Sequence, residues 1–141
     1  MQPDRPFSSP TIRNFIIAAA CIFTAAACTI VKNYPVNKPF VYQTNINITG
    51  NITSDTAEMI ASRLKGQLDD SMRARAVSNV IWKVMKNPPL YDSNNAEKSM
   101  VFMKALLKSL GYFKDSMSYT ATIDTVKGDQ YRSTVTFNVK P

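Results

Sequence analysis

Few side chains in this chain could do covalent chemistry. It has no histidine, which removes the usual general base, the commonest zinc ligand and the group that titrates near neutral pH. Carboxylates, lysines and hydroxyls remain. Asp69-Asp70 is the only adjacent acidic pair, and neighbours on a helix point about 100° apart, so the two do not converge on one substrate as a glycosidase dyad must. Serine and threonine are plentiful, yet no Gly-x-Ser-x-Gly elbow accompanies them, and only lysine is left to activate a hydroxyl. The four glycines form no phosphate loop, and Cys21 and Cys28 form no paired metal motif. The expectation is a protein that is not an enzyme and holds no cofactor or metal.

A formal charge of +7 on 141 residues suits nucleic acid, anionic lipid or neither. The lysines are spread along the chain rather than massed in one block, which reads as a solvated face with no nucleic-acid partner. The length fits one domain with one core.

Cys28 has the most specific surroundings of any reactive residue. Polar residues with Arg5 and Arg13 precede an apolar run, Phe15 to Ala27, interrupted only by Thr24. That is the length of a signal-peptide core. A spanning helix needs about 20 apolar residues, and the run reaches Val31 only through Thr24, Cys28 and Thr29. A transmembrane anchor, or an ordinary helix carrying Cys21 and Cys28, are the readings that stay open. Ala25-Ala26-Ala27-Cys28 resembles a bacterial lipobox, with Ala25 where leucine is most frequent. The resemblance implies removal of residues 1–27 and acylation, palmitate included, of Cys28 as the first mature residue. Cys21 leaves with the signal, so no internal disulfide is expected. Several acyl chains anchor firmly where one alone binds marginally.

Residues 28–39 carry two prolines, two lysines and two asparagines without apolar period from Thr29 onward, and predict an extended tether. The domain is expected over 40–141. Phe40, Tyr42, Ile46 and Ile48 alternate with Val41, Gln43, Asn45 and Asn47, a half-buried strand stopping at Gly50. A helix follows, capped by Ser54 or Asp55, with Ala57, Ile60, Ala61, Leu64 and Leu68 on one face. From Met72 to Lys86, Val77, Val80, Ile81, Val84 and Met85 fit a helical stripe while Trp82 and Lys83 fall off it, so a short helix or an irregular insertion is expected. Pro88-Pro89 ends it.

The next helix is framed at both ends. Asp92, Ser93 or Asn94 caps it, Met100, Met103, Leu106, Leu107 and Leu110 line its apolar face, and Gly111 closes it. Tyr112 and Phe113 are expected to plug the gap between helix and sheet. Met117, Tyr119, Ala121 and Ile123 alternate, then a turn at Gly128-Asp129, then Tyr131, Val135, Phe137 and Val139 alternate, giving a C-terminal hairpin. The fold class is α+β, with helices packed on one face of a small three-stranded sheet.

Asn87-Pro88-Pro89-Leu90-Tyr91-Asp92-Ser93, the helix after it and Leu110-Gly111-Tyr112-Phe113 resemble the POTRA domain of the BamA/TamA outer-membrane assembly family. In that family a β-α-α-β-β unit carries a Gly-Tyr-Phe turn between its second helix and second strand. The lipobox, with Lys38-Pro39-Phe40-Val41-Tyr42 and Asp69-Asp70-Ser71, further resembles the family's lipoprotein variant TamL of Bacteroidota. The resemblance covers residues 38–141.

It implies a lipid-anchored outer-membrane protein whose domain faces the periplasm and receives unfolded outer-membrane proteins without covalent chemistry. It also implies a membrane β-barrel, in a domain or subunit absent from this chain. The family's second strand has been the recruiting edge, which places client binding on Met117, Ser118, Tyr119, Thr120, Ala121, Thr122 and Ile123. The alternatives are an unrelated small envelope lipoprotein acting as tether or inhibitor, or a truncated, non-functional gene fragment.

Overall fold

The computed structural model describes residues 29–78, 82–126 and 128–141. The expected signal segment 1–27, the lipobox cysteine Cys28 and the pair Val80-Ile81 lie outside the described residues. In chain order the elements are β1 (Thr29–Lys32), β2 (Pro39–Ile48), α1 (Ser54–Lys65), a 3-10 turn (Asp70–Met72), β3 (Ala76–Ser78), β4 (Lys83–Lys86), α2 (Ser93–Ser109), β5 (Ser116–Val126) and β6 (Gln130–Lys140). They form an α+β fold with two mixed three-stranded sheets, ordered β2-β6-β5 and β1-β4-β3.

β6 is the central strand of the larger sheet because its sequence suits burial on one side and polar company on the other. Val135, Phe137 and Val139 are fully buried, while Thr134, Thr136 and Asn138 between them face away. Burying each of the three contributes about 1.5–3 kcal/mol. β5 runs antiparallel to β6, setting Met117 opposite Val139, Tyr119 opposite Phe137 and Ala121 opposite Val135. β2 lies parallel on the other side of β6. Ile60 and Leu64 of α1 and Ala96, Met103 and Leu107 of α2 complete the core over this face.

The expected single face of Phe40, Tyr42, Ile46 and Ile48 is split by a bulge. Register passes from Val41 opposite Ser133 to Gln43 opposite Thr134, leaving Tyr42 without a partner on β6. One extra residue reverses every side chain beyond it. Val41, Ile46 and Ile48 therefore reach the main core, while Phe40 packs with Val31 and Met85 in a second cluster on the opposite side. Tyr42 packs against that second cluster and lies under the Arg132 guanidinium, 4.6 Å from ring centroid to Cζ.

The helix ends follow capping chemistry. Thr53, rather than Ser54 or Asp55, caps α1, its hydroxyl accepting from the Thr56 amide at 3.4 Å. Asp92 caps α2, accepting from the Asn94 amide at 2.9 Å. At the other end of α2, the Gly111 amide donates to Lys108 and the Tyr112 amide to Leu107, at 3.1 and 2.9 Å, with Gly111 at φ +92. This paired closure needs the left-handed residue that glycine supplies. Tyr112 then turns onto the core, but Phe113 does not join it and stands 76% exposed.

Among its described residues the expected insertion is built on two short strands rather than a helix. β3 and β4 form an antiparallel hairpin, and β1 pairs parallel with β4, Thr29 opposite Lys83 through Lys32 opposite Lys86. Val84 and Met85 suit either period as a sequence pair; here Met85 is buried and Val84 faces the other way. Part of the expected tether is therefore sheet, with Val31 buried.

Candidate interaction edge

The residues Met117 to Ile123 all fall in β5, which borders the β2-β6-β5 sheet. Among the described residues no strand pairs with its outer side. Which backbone groups point outward follows from β6. The Val139 carbonyl accepts from the Thr49 amide at 2.8 Å, so the odd residues of β6 aim their backbone at the β2 side. Alternation turns its even residues, Thr134 and Thr136 among them, toward β5. Their partners are the even residues Thr122 and Thr120. The amides and carbonyls of Met117, Tyr119, Ala121 and Ile123 are left facing the open border. The Thr122 hydroxyl, 3.5 Å from the Thr134 carbonyl, agrees with this phase.

Nothing in β5 blunts that border. Proteins commonly protect edge strands with charges, proline or bulges. Ser116–Val126 carries one charged residue, Asp124, and no proline, and pairs with β6 without a register shift. Beyond Tyr119 the helix-facing side is also uncovered: Ala121 is exposed and Ile123 is 50% exposed. A chain added here would meet both backbone partners and an apolar strip. The side chains of Ser118, Thr120 and Thr122 lie on the polar face of the sheet.

The other border is covered along its first part, from Pro39 to Thr44. The Val41 amide donates to the Pro89 carbonyl and the Tyr91 amide to the Pro39 carbonyl, both at 2.9 Å, with Leu90 bridging Phe40. Farther along, the Thr44 hydroxyl donates to the Met72 carbonyl at 2.6 Å. Composition alone did not reveal Leu90 as an edge cover; the proline pair before it was the available signal.

The Tyr91 phenol lies near the Tyr119 phenol. Its pKa is raised above the ordinary 10.0, first by burial and then by the Tyr119 phenol of β5 beside it, with Asp92 adding to the rise.

The acidic pair does not converge. The Asp69 carboxylate accepts from the Ser71 amide at 3.0 Å and caps the 3-10 turn, while Asp70 pairs with Arg75 in solvent. The Asp69 amide donates to the buried Ser99 hydroxyl at 2.9 Å, and Ser99 donates to the Asn95 carbonyl, tying this turn to α2. Among the described residues no group of three or more histidine, cysteine or acidic side chains could hold a metal ion. No described helix is long and apolar enough to cross a membrane.

Compared with known proteins, the chain matches no protein-family model, no curated protein and no solved structure.

Proposed function

We propose that this chain is a lipid-anchored interaction module of POTRA type in the bacterial envelope, which receives unfolded outer-membrane β-barrel proteins by strand addition. The observation that carries the reading is the open, unblunted border of β5, free of the bulge and the Pro89–Tyr91 cover that occupy the first part of the β2 border. In strand addition the client's main chain supplies affinity through ladder hydrogen bonds, and side chains supply selectivity. A β-barrel precursor is rich in alternating strands that lack partners until the barrel closes. Such a segment suits β5, whose polar and apolar faces match that alternation. The Gly111-Tyr112-Phe113 turn and the β-α-α-β-β order of β2, α1, α2, β5 and β6 support the POTRA assignment. Anchoring through Cys28 would hold the module at the outer membrane, on its periplasmic side, next to a barrel partner.

The test is titration of an unfolded barrel-protein segment into the domain, residues 29–141. Ala121→Pro should abolish binding, because it removes an outward amide and blocks close approach. Thr120→Ala and Thr122→Ala should leave affinity nearly unchanged. Binding that survives Ala121→Pro but falls with the threonine variants would overturn strand addition and favour a docking or tethering role.

A further inference from the structure

The outer face of the small sheet carries side chains that neither core uses. Alternation along the strands puts Lys32, Val77, Val84 and Lys86 on the side opposite Val31 and Met85. With Trp82 and Arg75 they line an open cavity of ≈ 450 Å³. Val77 is 67% and Trp82 47% exposed, and Ile30, paired with Val84, is exposed beside them. Asp70, paired with Arg75, is the anion in contact with this group. The face is thus an apolar centre with an indole, bordered by cations.

Its place in the chain supplies the occupant. β1 begins at Thr29, the residue after Cys28, and successive Cα atoms are about 3.8 Å apart. Had residues 28–39 been a free tether, the domain could drift well away from the bilayer. With β1 locked onto β4, an acyl chain on Cys28 holds the small sheet itself at the surface. Trp82 directly precedes Lys83, the partner of Thr29, so the indole sits at the end where the chain enters. Lys32 and Lys86 face each other three residues farther on, roughly 10 Å at about 3.3 Å per residue.

We infer that this face lies on the membrane, with Trp82 and its valine neighbours at the boundary of headgroups and acyl chains and Lys32 and Lys86 on anionic lipid phosphates. The inference rests on the lipoprotein reading of Cys28. Indole rings settle at that boundary, lysine stems cover apolar surface while their ammonium groups reach out, and a lysine beside an anionic leaflet strengthens contact about fivefold. A neutral protein surface would use the apolar centre but leave the lysines without counter-charges.

Trp82 is the only tryptophan in the chain, so its fluorescence reports on this face alone. The full chain, processed in a bacterial envelope, is reconstituted into phosphatidylcholine vesicles with and without phosphatidylglycerol, and its intact mass is measured. Trp82 emission should shift to the blue and be quenched by lipids brominated near the headgroup, more strongly when phosphatidylglycerol is present. Lys32→Gln and Lys86→Gln should each weaken the face-down state about fivefold, and high salt should act in the same direction. An acylated, vesicle-bound chain whose Trp82 emits as in water and escapes quenching overturns the inference and leaves the anchor standing. Quenching that is equal in neutral vesicles and indifferent to both lysine variants overturns the assignment to anionic lipid. A mass that retains residues 1–27, or carries no lipid on Cys28, overturns the anchor and the inference with it.

Discussion

β2 and β5 border the same three-stranded sheet, and the chain covers the first part of one border while leaving the other open along its length. β2 starts at a proline, bulges at Tyr42 and meets Pro89, Leu90 and Tyr91 along its outer side. β5 pairs with β6 without a register shift, and among the described residues no strand pairs with its outer side. The difference lies in what each border must seal. β2 runs between two cores, with Val41 in one and Phe40 in the other, so unpaired backbone there would be buried at a cost of about 1–3 kcal/mol per group. β5 has a core on one face only, and its outer backbone can stay hydrated until another chain replaces the water.

The comparison breaks most completely at the strand the two borders share. Phe137→Ala removes a fully buried ring from β6 and should cost about 3–5 kcal/mol; chemical denaturation should show the domain lost as a unit. If β5 alone frayed while the β2 side persisted, the borders would belong to separate folding units.

Proline separates the two sides of β5. Thr122→Pro removes an amide that faces β6 and should destabilise by about 1–3 kcal/mol, read as a lower denaturation midpoint. Ala121→Pro, one residue away, should leave the unfolding free energy within about 1 kcal/mol of wild type. Equal losses from both would mean the assigned phase of the strand is wrong.

The glycines at the ends of β5 test how its path is fixed. Gly111 and Gly128 both hold positive φ, at +92 and +87. Gly111→Val should cost about 1–2 kcal/mol from backbone strain alone, since no atom stands within 4 Å of an added Cβ. Gly128→Val should cost a similar amount from its own positive φ, since the nearest atom to that Cβ position, the Tyr34 hydroxyl, stands at an ordinary contact distance of 3.4 Å. Thermal melts compare the two.

The smallest effect concerns Tyr91. Because burial raises its phenol above 10.0, the unfolded chain ionises first as pH climbs past that value, and stability falls until the folded phenol ionises too. Below pH 10.0 both states hold the proton and the contribution is flat. Tyr91→Phe should flatten the alkaline loss and leave stability near neutral pH little changed, measured by denaturation across the alkaline range.

Much of this was legible in residue order. Val135, Phe137 and Val139 declare a strand because polar residues separate them, and α2 is framed by Asp92 and Gly111, each with a definite capping role. The β2 bulge was not legible. Phe40 and Val41 are adjacent apolar residues, and only the second core shows why both are buried. The small sheet was hidden for a related reason: Val77, Val84 and Met85 fit two periods, and β1, the partner of β4, lies in a stretch rich in proline, lysine and asparagine. Of the candidate site, the strand Met117 to Ile123 could be read. That it forms the open border could not, because sheet order depends on β2 joining the far side of β6, a pairing distant in sequence.

The central claim, that β5 captures an extended chain through its outer backbone, is tested most directly by amide NMR of residues 29–141 during titration with an unfolded barrel-protein segment. The account predicts shifts and slowed hydrogen exchange at the amides of Met117, Tyr119, Ala121 and Ile123, with the amides of Thr120 and Thr122 already protected by β6. Shifts confined to α1 and α2 or to the β2 border, or none at any soluble peptide concentration, would contradict it.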